Sequence, residues 1–237
     1  MNPEIEDLIY FCTLFHNEKR DKEALETIKQ LIEIDPHFDK VRRVLFQAIY
    51  KQVIDSMRNS LLTITSYYDS NVEANRSDRA AMLIEKKEEL INKLIPLCKE
   101  AIAQIDESLL PNAVDVQMAV YFQKFKGDLY RYIAEYSDET DSVAAANSGE
   151  ECYREALSVA AQNLPGCDPV RLSLILNAAV FRYEIRKEKD IATEMLTTTV
   201  NEIEGAPDMS PSSANETENV LSIMRENLRL WADCEDE

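Results

Sequence analysis

Apolar residues recur at spacings of three and four along most of this chain, and that period fits one kind of element, the amphipathic helix. Met118, Phe122, Phe125, Leu129 and Ile133 carry it most clearly. They define a buried stripe on a helix whose other side holds Lys124, Asp128, Arg131, Tyr132 and Glu135. The breakers agree: 4 Gly and 8 Pro among 237 residues fall mostly between periodic segments, which disfavours a β-sandwich or a Gly-turn-rich α/β fold. The chain is therefore read as all-α. With 45% hydrophobic residues it can bury a substantial core, in one large helical domain or two small ones.

About nine antiparallel helices follow from the stop and start signals. Asn2 and Pro3 suit an N-cap and first helical position, with Glu4 and Glu6 at the positive end of the dipole, for a first helix to about His16. Asp21 is placed as the cap of a second helix to about Ile34, and Asp35-Pro36 breaks the pattern before a third from about Phe38 to Ser70. Leu45, Ile49, Val53, Ile54 and Met57 form its apolar stripe. A fourth helix is predicted from about Ser77 to Glu107, with Met82, Leu90, Ile91, Leu94 and Ile95 apolar among charges, and Leu109 to Asn112 connect it to the fifth. Ser148-Gly149-Glu150-Glu151 has capping-box spacing and predicts the start of a sixth helix ending at Leu164-Pro165-Gly166. Asp168-Pro169 caps a seventh, apolar nearly all round from Leu172 to Phe181, which leaves Asn177 in need of a hydrogen-bond partner. A turn within Arg186 to Asp190 precedes the eighth helix. Gly205 to Glu216 reads as a loop, a ninth helix runs to about Trp231, and 234–237 form a short acidic tail.

The net charge of −18 repels nucleic acid and anionic lipid, so any anion site must be a focused pocket. Five cysteines, Cys12, Cys98, Cys152, Cys167 and Cys234, form an odd set without a C-x-x-C pair, and the N-terminus lacks the layout of a signal peptide. Reduced thiols in the cytoplasm or nucleus are expected, and two glycosylation sequons, at Asn75 and Asn215, are expected to stay unused. No apolar run approaches the length of about 20 residues that spans a bilayer.

Lys51 and Arg58 are seven apart, and Lys124 and Arg131 repeat that interval, so each pair returns to one helix face. Two such helices side by side would converge cationic donors on one anion, with the Tyr132 hydroxyl beside them. Spacing alone favours ordinary solvated charges, and Asp128 stands where it could consume Lys124 and Arg131 in weak local ion pairs. Enzyme readings have little to stand on. Neither of the two histidines, His16 and His37, follows a glutamate at metal-ligand spacing, no H-E-x-x-H or P-loop occurs, and nothing supplies a base to Cys152 or Cys167. No catalytic residue, metal ligand or cofactor is expected.

The stretch Lys126-Gly127-Asp128-Leu129-Tyr130-Arg131-Tyr132-Ile133-Ala134-Glu135 resembles the fifth-helix motif of the 14-3-3 proteins. Further matches come in the family's order: Tyr50-Lys51-Gln52-Val53 with Arg58, Arg171 to Asn177, Tyr183-Glu184-Ile185, and Arg225 to Trp231. The resemblance covers about Tyr50 to Asp233. It implies a single domain over 1–237, a helical bundle with a concave peptide-binding groove, in which Lys51, Arg58, Arg131 and Tyr132 hold the phosphate of a phosphoserine or phosphothreonine. It also implies that Asn177 and Asn227 bond the peptide backbone, with Lys124, Glu184 and Trp231 beside them. Leu176, Val180, Val220, Ile223 and Leu230 are either the groove's apolar wall or simply core. Met57, Leu62, Ser173 and Asn219 depart from the family pattern, the first two thinning its basic patch. The segment 1–34 shows little similarity, although the resemblance implies that it forms part of a homodimer contact. The function implied is an adaptor that sequesters or clamps phosphorylated client proteins, without nucleic-acid partners or membrane insertion. A tetratricopeptide-like scaffold for unphosphorylated peptides is the alternative, and its Trp-Leu-Gly-Tyr pattern is missing.

Overall fold

The structure, a computed structural model, describes residues 3–204 and 214–233. The expected cap at Asn2, most of the loop expected over Gly205 to Glu216, and the acidic tail at 234–237 lie outside the described residues. Nine α-helices and no strand occur among them: α1 (Pro3–Asn17), α2 (Asp21–Ile34), α3 (Lys40–Glu73), α4 (Ser77–Gln104), α5 (Val116–Tyr136), α6 (Glu139–Asn163), α7 (Pro169–Phe181), α8 (Lys189–Glu204) and α9 (Ala214–Asp233). Single π-helical turns, Ile105–Leu109 and Arg182–Arg186, prolong α4 and α7. The chain divides into two compact units, Met1–Val114 with Tyr136–Asp138, and Asp115–Glu135 with Glu139–Glu237.

In the first unit α1 packs on α2 and α3 lies along α4. Leu45, Ile49, Val53 and Ile54 are buried as their spacing predicts, while Met57 is only half-buried. Phe46 rests on Phe38 and Tyr50, with centroids 6.5 and 4.9 Å apart. The Tyr50 hydroxyl donates to Glu100 Oε1 at 2.9 Å, and Lys29 Nζ reaches the same oxygen at 3.2 Å. Asp39 caps α3 by accepting from the Arg42 amide at 2.9 Å, which sets its start two residues later than expected. Asp21 is not a cap: it is the first residue of α2, and its carboxylate accepts from Gln52 Nε2 at 2.7 Å instead. Met82, expected on the apolar face of α4, is exposed, and of that expected stripe Leu94 is buried while Leu90, Ile91 and Ile95 are only partly so.

The second unit corrects two expectations. The helix α6 begins at Glu139, nine residues before the predicted capping box. Ser148 Oγ donates to the Ala144 carbonyl at 3.1 Å, an interior bond, and Glu151 pairs with Arg154. The adjacent Gly149 is a packing residue, since a Cβ there would stand 3.2 Å from Tyr130 Cβ. The helix α5 is not two-faced. Beside the expected apolar stripe, Lys124, Asp128, Arg131 and Tyr132 are also buried. Asp115 caps it, accepting from the Met118 amide at 2.6 Å, as Asp168 caps α7 through Val170 at 2.8 Å. Around α7 the core gathers Leu172, Ala179, Leu196, Leu221 and Met224 from three helices, and each fully buried leucine contributes about 1.5 to 3 kcal/mol. The turn into α8 closes at Lys187, which takes the left-handed conformation with φ 61°. The helix α9 starts at Ala214, so its first turn occupies the end of the expected loop.

Candidate functional site

Lys51 and Arg58 return to one face of α3, as their spacing requires, and a carboxylate lies between them. Asp55, one turn from each, accepts a hydrogen bond from Lys51 Nζ through Oδ2 and faces Arg58 Nη1 across 3.8 Å through Oδ1. All three side chains keep some solvent contact, 48% for Lys51, 23% for Arg58 and 34% for Asp55. The interval from Lys51 to Asp55 is the usual one for helical ion pairs, so this contact was readable in the sequence although the matches to the family did not point to it.

In the second unit Arg131 pairs with the half-exposed Glu184, and Lys124 and Asn177 gather on the buried Asp128. Arg131 is only 9% exposed. Its Nη1 donates to Glu184 Oε2 at 3.0 Å, and its guanidinium carbon lies 4.7 Å from the Tyr132 ring centroid. Burial works against its charge, but Tyr132, Tyr153, Asp128 and Glu184 outweigh that and hold the guanidinium above its ordinary range. Its Nε is buried and makes no hydrogen bond.

Asp128 anchors the rest. It takes Lys124 Nζ at 3.2 Å on Oδ2, the Tyr153 hydroxyl at 2.6 Å on Oδ1, and Asn177 Nδ2 at 2.8 and 2.9 Å on both oxygens. The Lys124–Asp128 pair is not the exposed local bridge that spacing suggested, since the two side chains are 6% and 4% exposed. Burial and the neighbouring Asp128 raise the Tyr153 phenol well above its usual range, so it remains a donor. Tyr153 was not singled out from the sequence, being 25 residues from Asp128 on another helix. Asn177 thus has the partner that its apolar helix demanded, and its amide oxygen is turned away from the carboxylate.

The apolar candidates divide. Leu176 is core, Val180 and Val220 are partly buried against that core, and Ile223 and Leu230 are exposed on α9. Trp231 is buried and stacks on Tyr183, with centroids 4.3 Å apart and planes 6° from parallel. Asn227 Nδ2 donates to the Ile223 carbonyl at 2.9 Å. Cys152 is buried, but Cys167 is only partly so. No group of three or more His, Cys, Asp or Glu among the described residues could hold a metal ion.

A model of the 14-3-3 protein family matches residues 12–232. The match therefore extends through most of the N-terminal segment in which no motif is recognisable. The chain is 30% identical over 239 residues to a 14-3-3 protein of Eimeria tenella, covering 95% of this chain and 86% of that one. It is 29% identical over 233 residues to a 14-3-3 protein homolog of Trichoderma harzianum, covering 98% and 89%. To the checkpoint signal transducer rad25 of Schizosaccharomyces pombe it is 28% identical over 232 residues, covering 98% and 86%.

Proposed function

Because the chain belongs to the 14-3-3 family, we propose that it is an adaptor that binds phosphoserine or phosphothreonine segments of client proteins and works by binding alone. In this reading 1–237 act as a single domain, Lys51, Arg58, Arg131 and Tyr132 hold the phosphate, and the amide oxygen of Asn177 accepts from the peptide backbone. Asn227, Lys124, Glu184 and Trp231 line the same ligand, with Val180, Val220, Ile223 and Leu230 offering apolar contact and Leu176 supporting them from the core. The observation that carries the reading is Arg131. An arginine only 9% exposed, in a chain of net charge −18, needs anionic partners, and its Nη1 is paired with Glu184, a half-exposed carboxylate that can give way to a phosphate.

A homodimer is part of the proposal. The first unit exposes Tyr10 and Phe11 on α1, Leu62 and Tyr67 on α3, and Met82 and Ile84 on α4, more large apolar side chains than a solvated face needs. Charges of the same unit are paired within the chain: Lys93 and Lys86 meet Glu89 at 2.9 and 2.8 Å, and Lys22 faces Glu26 at 3.9 Å. Two sites in one dimer would gain from effective concentration on a doubly phosphorylated client. No helix among the described residues is long and apolar enough to cross a membrane, which is compatible with the cytoplasmic or nuclear setting that belongs to this reading.

Titration of one peptide in phosphorylated and plain forms tests the function. Strong preference for the phosphorylated form is expected. Equal affinity for both would remove the phosphate reading and leave a helical scaffold.

A further inference from the structure

We propose that Asp55 is an internal rival of the client phosphate, a carboxylate that occupies Lys51 and Arg58 in the unliganded protein and must be displaced when a phosphate arrives. The inference rests on the phosphate reading of those two cations. Its geometric basis is the face of α3 already described: each Asp55 oxygen is turned to a different cation, Oδ2 to Lys51 and Oδ1 to Arg58. A carboxylate set between two cations presents them with the anion that a phosphate would otherwise supply.

Two features make the carboxylate displaceable. Asp55 keeps about a third of its side chain in solvent, at 34% exposure, and exposed pairs at this helical spacing are weak, so a dianion with three acceptor oxygens can outcompete it. It also has somewhere to go. Asp55 borders an open cleft of about 730 Å³ within the first unit, lined as well by Lys19, Asp21, Gln52, Ser56 and Asn59. Asp21 is already engaged by Gln52 there, and Lys19 and Asn59 are lining residues of a type that can pair with a displaced carboxylate.

The consequence is selectivity by charge. A ligand group that brings a single negative charge gains little by exchanging with Asp55, whereas a phosphate dianion brings more charge and more acceptors than it displaces. Asp55 therefore lowers affinity for phosphorylated clients while guarding the site against plain acidic segments.

The test compares the parent protein with Asp55→Asn, which keeps shape and removes charge, using a peptide library with one central phosphoserine and the same library unphosphorylated. Asp55→Asn should bind the phosphorylated library about 5- to 20-fold more tightly, as expected for removal of a like charge beside the ligand. It should also let the most acidic members of the plain library bind while leaving the neutral ones unchanged, and lower Tm slightly through loss of the helical ion pair. A merely structural role would move affinity and Tm in the same direction. Asp55→Glu should restore weak binding, and in a Lys51→Met background the gain from Asp55→Asn should shrink. If the parent prefers the phosphorylated library and Asp55→Asn binds it no more tightly, the rivalry is overturned and the adaptor function stands. If neither protein distinguishes the two libraries, the phosphate reading fails and takes the rivalry with it.

Discussion

Asp128 shows how a charge is kept inside a helical unit: its two oxygens accept from Lys124, Tyr153 and Asn177, on three different helices. Removing it leaves the Lys124 ammonium buried without its counter-charge, so Asp128→Ala should cost about 3 to 5 kcal/mol of stability, read by urea denaturation. A loss within the range of surface substitutions would mean that Lys124 reaches water. The cations assigned to phosphate make a different prediction. Hydrogen bonds to charged groups contribute about 1.5 to 3 kcal/mol each, so Arg58→Ala or Arg131→Ala should weaken phosphopeptide binding by roughly 10- to 150-fold with helicity intact. Lys51→Glu should be worse than Lys51→Ala, since it adds repulsion to the loss of a donor. At Arg131 the partner left behind, Glu184, is half-exposed and can turn to solvent, so calorimetry should register the change in binding and circular dichroism very little. The pairing of Lys124 with Asp128 was legible because it lies within one helical turn. The pairing of Arg131 with Glu184, 53 residues away, was not.

Helix faces and helix ends follow from different distances along the chain. The stripe on α5 was correctly read, yet the polar side of that helix is buried too, because α6 and α7 bring Tyr153 and Asn177 against it. The approach of α6 is set by Gly127: a Cβ there would stand 2.9 Å from the ring of Tyr153, itself buried and bonded to Asp128. Gly127→Ala should therefore cost about 1 to 3 kcal/mol, measurable as a lowered Tm, because the ring cannot move without breaking that bond. No change in Tm would show that the two helices can separate. The helix α9 offers the test of selectivity. Asn219, Ile223 and Leu230 are exposed on it, and Asn219→Leu should tilt preference to peptides with apolar residues beyond the phosphosite, by up to about 1.5 to 3 kcal/mol if the ligand buries the leucine fully. An unchanged ranking of a phosphopeptide library would place Asn219 outside the contact. The false start at Ser148 shows the limit of capping signals. A Ser-x-x-Glu spacing nucleates a helix only where the preceding residues leave it, and here α6 was already continuous from Glu139.

For the whole molecule, a net charge of −18 sets partners repelling one another at long range, so self-association must rest on apolar contact. Sedimentation velocity at micromolar concentration should show a dimer, and Tyr10→Glu or Leu62→Glu should shift it to monomer; a monomeric parent would remove the two-site clamp and leave each binding site unaffected. The all-α 14-3-3 fold was determined by the sequence itself, since the period of three to four, the few Gly and Pro, and caps such as Asp168 all act within one or two helical turns. Lys51 and Arg58 sharing a face, and Asn177 needing a partner, were determined at the same range. Only the tertiary structure decided that Asp128 is that partner, that Arg131 meets Glu184, that Leu176 is core while Ile223 and Leu230 are exposed, and that Ser148 sits inside a helix. The physical reason is that contacts across 25 to 53 residues depend on how helices rotate and slide on packing. That is set by the volumes of facing side chains, as Gly127 against Tyr153 shows.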